Sequence, residues 1–152
     1  MGNAVHQVRA YVAEALASAR LLLPAIAEFA RRRPDAVAET QWAVERVQRT
    51  LAAHQEELAE HLTRLGGQAL LAGVAGEPPG SLSIASVRDL YSELIQMHER
   101  MLMLETNSRA LGFSSTAALS RRHREEVDTL LMRLRDALPV TVKGEIEKEP
   151  IF

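Results

Sequence analysis

Apolar residues recur at alternating three- and four-residue steps along this chain, and they do so in four separate stretches. That spacing puts each set on one face of a helix, so the chain must bury four long stripes side by side. The first stretch runs from about Asn3 to Arg32 and carries Val5, Val8, Val12, Ala15, Ala19, Leu22, Ile26 and Phe29. Pro24 lies inside it and is expected to bend it about one turn upstream. Arg31 to Arg33 suit the negative end of a helix, Pro34 closes the segment, and Asp35 is a natural N-cap for the next. The second stretch holds Val44, Val47, Leu51, His54, Leu58, His61 and Leu65, and Gly66-Gly67 ends it. The third starts near Ser83 with Val87, Leu90, Leu94, Met97, Met101 and Leu104, while Tyr91, Ile95, His98 and Leu102 are expected to widen its apolar face. The fourth begins at Ser114 or Ser115 and carries Leu119, His123, Val127, Leu130, Leu134 and Leu138, with Pro139 expected to terminate it. Residues 140–152 are expected to form an extended arm beyond a single domain spanning residues 1–139.

Link lengths set the topology. Only a few residues separate the first stretch from the second and the third from the fourth, so each pair is an antiparallel hairpin. The middle link, Gly66 to Leu82, can reach roughly 55 Å at ~3.3 Å per residue, against roughly 40 Å for the helices it joins. It is long enough to cross the whole bundle, which gives the order up, down, down, up. Leu70, Leu71 and Val74 could instead make a small extra helix inside it.

Composition narrows function. Eighteen basic residues against twenty acidic leave a net charge of −2, which offers no field for nucleic acid or an anionic membrane. With no cysteine there is neither a disulfide framework nor a thiolate metal site, which suits the cytoplasm. No apolar run is expected to approach the roughly 20 residues of a membrane span, and the start lacks the pattern of a secretory signal. No phosphate-binding Gly-x-x-x-x-Gly-Lys loop or glycine-flanked serine nucleophile occurs, so an enzymatic role is not expected.

The residues that stand out are His54 and His123, each three positions before a glutamate, Glu57 and Glu126, and each where a seam leucine belongs. Counted from a common end under the crossover topology, Glu14, His54, Glu57, His98, His123 and Glu126 fall within roughly 8 Å of axial height. Imidazole and carboxylate donors at one level are what iron, manganese or zinc requires. Neutral core histidines bonded to Glu57, Glu126 or Ser120, with the glutamates paired to arginines such as Arg122 or Arg124, satisfy the same positions without metal. Trp42 and Tyr11 lie off the seam and suit an interface.

The helix order, the long middle link and the strings His54-Gln-Glu-Glu-Leu and Arg64-Leu65-Gly66 resemble the ferritin-like superfamily. Asp89-Leu-Tyr-Ser-Glu-Leu through His98, Ala110-Leu-Gly, Ala117-Ala-Leu, Arg122-His-Arg and Leu138-Pro139 are similar to the bacterial stress-associated ferritin-like proteins of unknown function, over about residues 5 to 139. The resemblance implies a ferritin-like four-helix bundle and a cytoplasmic, stress-related role. Di-iron members supply one Glu from each of two helices and a Glu-x-x-His pair from each of the others. This chain has no Glu-x-x-His and carries the reverse order twice, so a working ferroxidase centre is not expected. Two expectations stand: a metal-free bundle that self-associates, as a dimer, or a metal-binding bundle using the His/Glu layer.

Overall fold

A computed structural model describes residues 2–32, 38–76 and 82–148, with side chains between 3 and 138 except those of 74 and beyond in the middle segment. It is all-helical: α1 spans Gly2–Arg32, α2 Ala38–Arg64, α3 Gln68–Gly76, α4 Val87–Ala110 and α5 Ser114–Lys148. No strand occurs among the described residues.

The stripes read from the sequence are what the long helices bury. Val8, Val12, Leu16 and Ile26 of α1, Val47 and Leu51 of α2, Leu90 and Leu94 of α4 and Val127 of α5 have no accessible surface. Each such aliphatic side chain contributes roughly 1.5–3 kcal/mol on leaving water. Chain direction follows from which of them meet. Val8 and Val12, early in α1, share a cluster with Leu58 and Leu62, late in α2, and with Met101 and Leu104, late in α4; Leu119, early in α5, packs against it. A second cluster joins Ile26 and Phe29 to Ala43, Val44, Ile84, Val87, Leu130 and Leu134. Helices α1 and α5 therefore run one way and α2 and α4 the other. Packing is between α1 and α2, α2 and α5, α5 and α4, and α4 and α1, so every neighbouring pair of long helices is antiparallel. The chain from Gly66 to Ser86 leads from one end of the molecule to the other, and α3 lies within it, packed on α1 and α2.

The helix ends have local causes. Gly66 takes φ +79°, Gly66 N–H donates to the Thr63 carbonyl and Gly67 N–H to the Leu62 carbonyl, which closes α2 in a left-handed cap. Arg9 of α1 donates to the Leu65 carbonyl there and ties the first hairpin at its open end. Helix α4 starts later than Ser83, because Ser86 caps it: the Asp89 N–H donates to Ser86 Oγ at 3.2 Å and the Ala85 N–H to Asp89 Oδ2 at 3.0 Å. Asp35, expected to cap α2, lies outside the described residues, as does Glu77-Pro78-Pro79-Gly80 of the link.

Several expectations are corrected. Helix α5 runs through Pro139 to Lys148, so residues 140–148 are helical rather than an extended arm. A proline removes one N–H and crowds one preceding carbonyl, which interrupts a single rung and leaves those on either side intact. Pro24 is passed in the same way within α1. Ile95 and Leu102 do not widen the buried face of α4; they are exposed. Tyr11 and Trp42 are exposed, in line with their positions off the seam. Helix α1 also proves long and apolar enough to cross a membrane, with a mean hydropathy of 1.4 over eighteen residues, contrary to the expectation that no segment approaches a span. In this fold its stripe faces α2 and α4 instead, and 44% of that window is buried.

Candidate functional site

Helices α2 and α5 bring His54 and His123 face to face in the interior. Their ring centroids are 3.7 Å apart and their planes differ by 8°. His54 is 2% exposed and His123 has no accessible surface. Antiparallel packing sets each imidazole beside the other helix's glutamate. His54 Nε2–H donates to Glu126 Oε2 at 3.2 Å, and His123 Nε2 stands 3.5 Å from Glu57 Oε1. The second contact is within ion-pair range but outside hydrogen-bond geometry, and neither ring nitrogen of His123 has a hydrogen-bond partner in the protein.

Above the rings, Arg122 of α5 spans both carboxylates. Its Nη1 donates to Glu126 Oε1 at 3.0 Å and to Glu57 Oε1 at 3.3 Å, and Nη2 donates to Glu57 Oε2. The guanidinium is half-exposed and caps the layer on its solvent side. Charge-assisted hydrogen bonds of this kind hold both carboxylates against one guanidinium.

Protonation follows from these contacts. Burial pushes His123 down to about 3, assisted by its neighbour His54, because a second positive charge in the stack is repelled. Burial also holds His54 below its ordinary value, against the upward pull of the bond to Glu126. The Arg122 hydrogen bonds hold Glu57 below the usual carboxylate range, and the same bonds raise Arg122. At neutral pH the two imidazoles are therefore neutral, and the Glu57 carboxylate and the Arg122 guanidinium beside them are charged.

Of the six residues expected to form one layer, four meet. Glu14 and His98 do not. Glu14 is exposed and lines a shallow cleft between α1 and α4 with Tyr11, Arg100 and Met103. His98 is half-buried, with Nδ1 3.8 Å from the adjacent Glu99. Axial height was the right coordinate but not a sufficient one, because α1 and α4 turn these two side chains away from the α2–α5 seam. Among the described residues no three His, Asp or Glu side chains are grouped so as to hold a metal ion.

The metal that the resemblance implies makes its own geometric demands on these residues. Two nearly parallel imidazole planes cannot share a metal at ~2.0–2.1 Å, since an ion in the plane of one ring stands well out of the plane of the other. The carboxylates that would complete the coordination are already held by Arg122. The residues as arranged do not fit the metal centre that the resemblance implies.

Two further polar groups lie nearby. His61, two turns along α2, is 8% exposed and meets Thr116 Oγ1 at 2.7 Å; burial lowers it, with a smaller push from Arg64. Glu105 of α4, 5% exposed, accepts from Arg124 Nε at 3.0 Å and Arg109 Nη2 at 2.9 Å. Burial alone would raise it, but the two guanidiniums outweigh that and hold it low. Sequence reasoning passed over Glu105, although Arg109 four residues on was a signal for pairing.

No known protein family, curated protein or solved structure matches the chain.

Proposed function

We propose that this chain is a ferritin-like helical-bundle protein without a working ferroxidase centre, which acts by associating with itself in the cytoplasm in a stress-related role. Helix order supports the ferritin-like reading: α2 and α4 run the same way, and the intervening link runs the length of the molecule. The stress-related and cytoplasmic parts rest on the resemblance stated above. The observation that carries the absence of ferroxidase chemistry is Arg122, which lies across Glu57 and Glu126 where a cation would have to sit. Exposed Tyr11, Ile95, Leu102, Met103 and Met132 favour association, since they leave apolar surface on the outer faces of α1, α4 and α5.

A second reading, a metal-binding bundle that holds iron, manganese or zinc in this layer, has one observation on its side. His123 is fully buried with both ring nitrogens unpartnered, and such a group is commonly bonded. Elemental analysis of the purified protein after metal supplementation, beside its mass in solution, separates the two. Less than about a tenth of an equivalent of any transition metal, together with a dimeric mass, supports the first reading. Stoichiometric metal that disappears in His54→Ala and His123→Ala overturns it in favour of the second, and a strictly monomeric mass removes self-association.

A further inference from the structure

We infer that the corner around Trp42, where α2 meets α5, binds a small zwitterion of the α-amino acid class with an apolar side chain. Its carboxylate is held by Arg133, its ammonium by Glu39 and Asp136, and its side chain by the indole. The site goes beyond the self-association proposed above and lies apart from the histidine layer, since His54 stands roughly 18 Å further along α2 at 1.5 Å per residue.

Three alanines make the room. Ala38 and Ala43 of α2 and Ala137 of α5 line a cavity of about 540 Å³. A methyl group cannot fill the space a leucine would, so the seam stays open here, whereas further along Val47, Leu51 and Val127 are fully buried. The volume falls within the roughly 300–1,000 Å³ of small-molecule sites, and such sites pair an apolar wall with a few convergent polar groups. Trp42 supplies the largest part of that wall and is 48% exposed.

The polar groups are Glu39, Arg133 and Asp136, which line the same cavity. Arg133 Cζ lies 4.9 Å from the centroid of the Trp42 ring, and Arg46 Cζ lies 5.6 Å from it. Elsewhere on α2 an arginine takes the glutamate one turn back, as Arg49 does with Glu45 and Arg64 with Glu60. Arg46 has Trp42 at that place. A guanidinium drawn to an aromatic face keeps its in-plane N–H fork free for a carboxylate. Among the described residues neither Arg46 nor Arg133 has an ion-pair partner, and the same holds for Glu39 and Asp136. Arg133 and Asp136, three residues apart, are neighbours on the surface of α5, yet Arg133 turns to the indole and leaves both heads open. Opposite charges on one rim set the ligand class. A dianion is repelled by Glu39 and Asp136, and a bare cation by the two guanidiniums, whereas a zwitterion meets both signs at once.

Trp42 is the one tryptophan of the chain, so its emission and its indole N–H resonance report this corner alone. The experiment titrates L-leucine, leucine methyl ester and N-acetylleucine into the full chain and reads both signals. Leucine is expected to give a saturable change with a Kd at or below about 10 mM, the weak limit for a ligand of its size. The ester lacks the carboxylate and the acetyl derivative lacks the ammonium, so each should bind at least about tenfold more weakly. Arg133→Gln should weaken leucine by at least about tenfold and leave the ester unchanged, and Asp136→Asn should narrow the preference for leucine over N-acetylleucine. No saturable change up to about 10 mM leucine overturns the inference, and so does equal binding of all three compounds or full binding by Arg133→Gln. If the Trp42 signals follow protein concentration and ignore leucine, the corner is a contact between copies and the inference is again overturned. Should Arg133→Gln fail to fold, Arg133→Lys keeps the charge without the planar fork, and undiminished leucine binding by it has the same overturning force.

Discussion

Acidification from pH 7.5 to 5 tests the buried stack, because in that window the buried imidazoles of His123, His54 and His61 differ in protonation between the folded and unfolded chain. His123 is pushed down to about 3 when folded, against 6.5 in its absence. Below pH 6.5 the unfolded chain takes up a proton that the folded chain refuses, so stability falls as pH falls, and it is fully present only above the ordinary histidine value. At pH 5 the unfolded group lies one and a half units below its midpoint, which at about 1.36 kcal/mol per unit costs roughly 2 kcal/mol. His54 and His61, lowered in the same direction, add to the loss. Glu57 and Glu105 do not interfere: their folded values lie below 4.5, so their contributions persist throughout the window and vanish only in stronger acid. The assay is urea unfolding at both pH values, followed by circular dichroism, on the parent and on His123→Leu. The parent should lose about 2 kcal/mol or more, or roughly 4–8 °C in its thermal midpoint. His123→Leu should lose about 2 kcal/mol less than the parent over the same window, and at pH 7.5 should lie within about 1 kcal/mol of the parent, since no hydrogen bond of His123 is forfeited. Equal stability of the parent at the two pH values would refute the account of a neutral buried stack, and an undiminished pH dependence in His123→Leu would refute its assignment to this residue.

Other contacts make their own claims. Thr116→Val keeps the volume but strips His61 of its buried partner, and should cost about 1–3 kcal/mol in urea unfolding. Glu105→Ala leaves Arg109 and Arg124 facing each other without their carboxylate; because both arginines retain solvent, a loss of about 2 kcal/mol at pH 7 is expected, shrinking toward zero in acid below the carboxylate range. Gly66→Ala must hold an L side chain at φ +79° with its Cβ 2.7 Å from Arg9 Nη2, and should lower stability by about 1 kcal/mol while Gly73→Ala, within α3 and with open space around it, should not.

Much of the candidate site was legible in the sequence because a helix converts position into direction. His54 and His61 in α2 and His123 in α5 stand where seam leucines belong, and that alone placed these rings indoors. The Arg122–Glu126 pair could be read from its four-residue spacing. The reach of Arg122 across to Glu57 could not, since it depends on the axial register of α5 against α2, which no local pattern encodes. Glu14 and His98 were drawn into the layer by height alone. Their rotation about the helix axis, settled by how α1 and α4 pack, takes them out of it. Glu105 escaped notice for the opposite reason: it is polar beside a seam leucine, and only the approach of Arg124 from α5 turns an unremarkable flank position into a buried ion pair.

By itself the sequence determined that the chain is helical, where its long helices begin to within a few residues, the seam that each buries, and that His54, His61 and His123 stand among the leucines. These follow from a repeat of 3.6 residues per turn, which is a local property. Tertiary structure decided which helices are neighbours, that the imidazoles stack rather than converge, and that a guanidinium lies across both carboxylates. It also decided that the backbone stays helical past Pro139, where local chemistry alone argued for a stop. Those outcomes depend on the relative register and rotation of whole helices, fixed by the close packing of many side chains at once, so no single segment contains them.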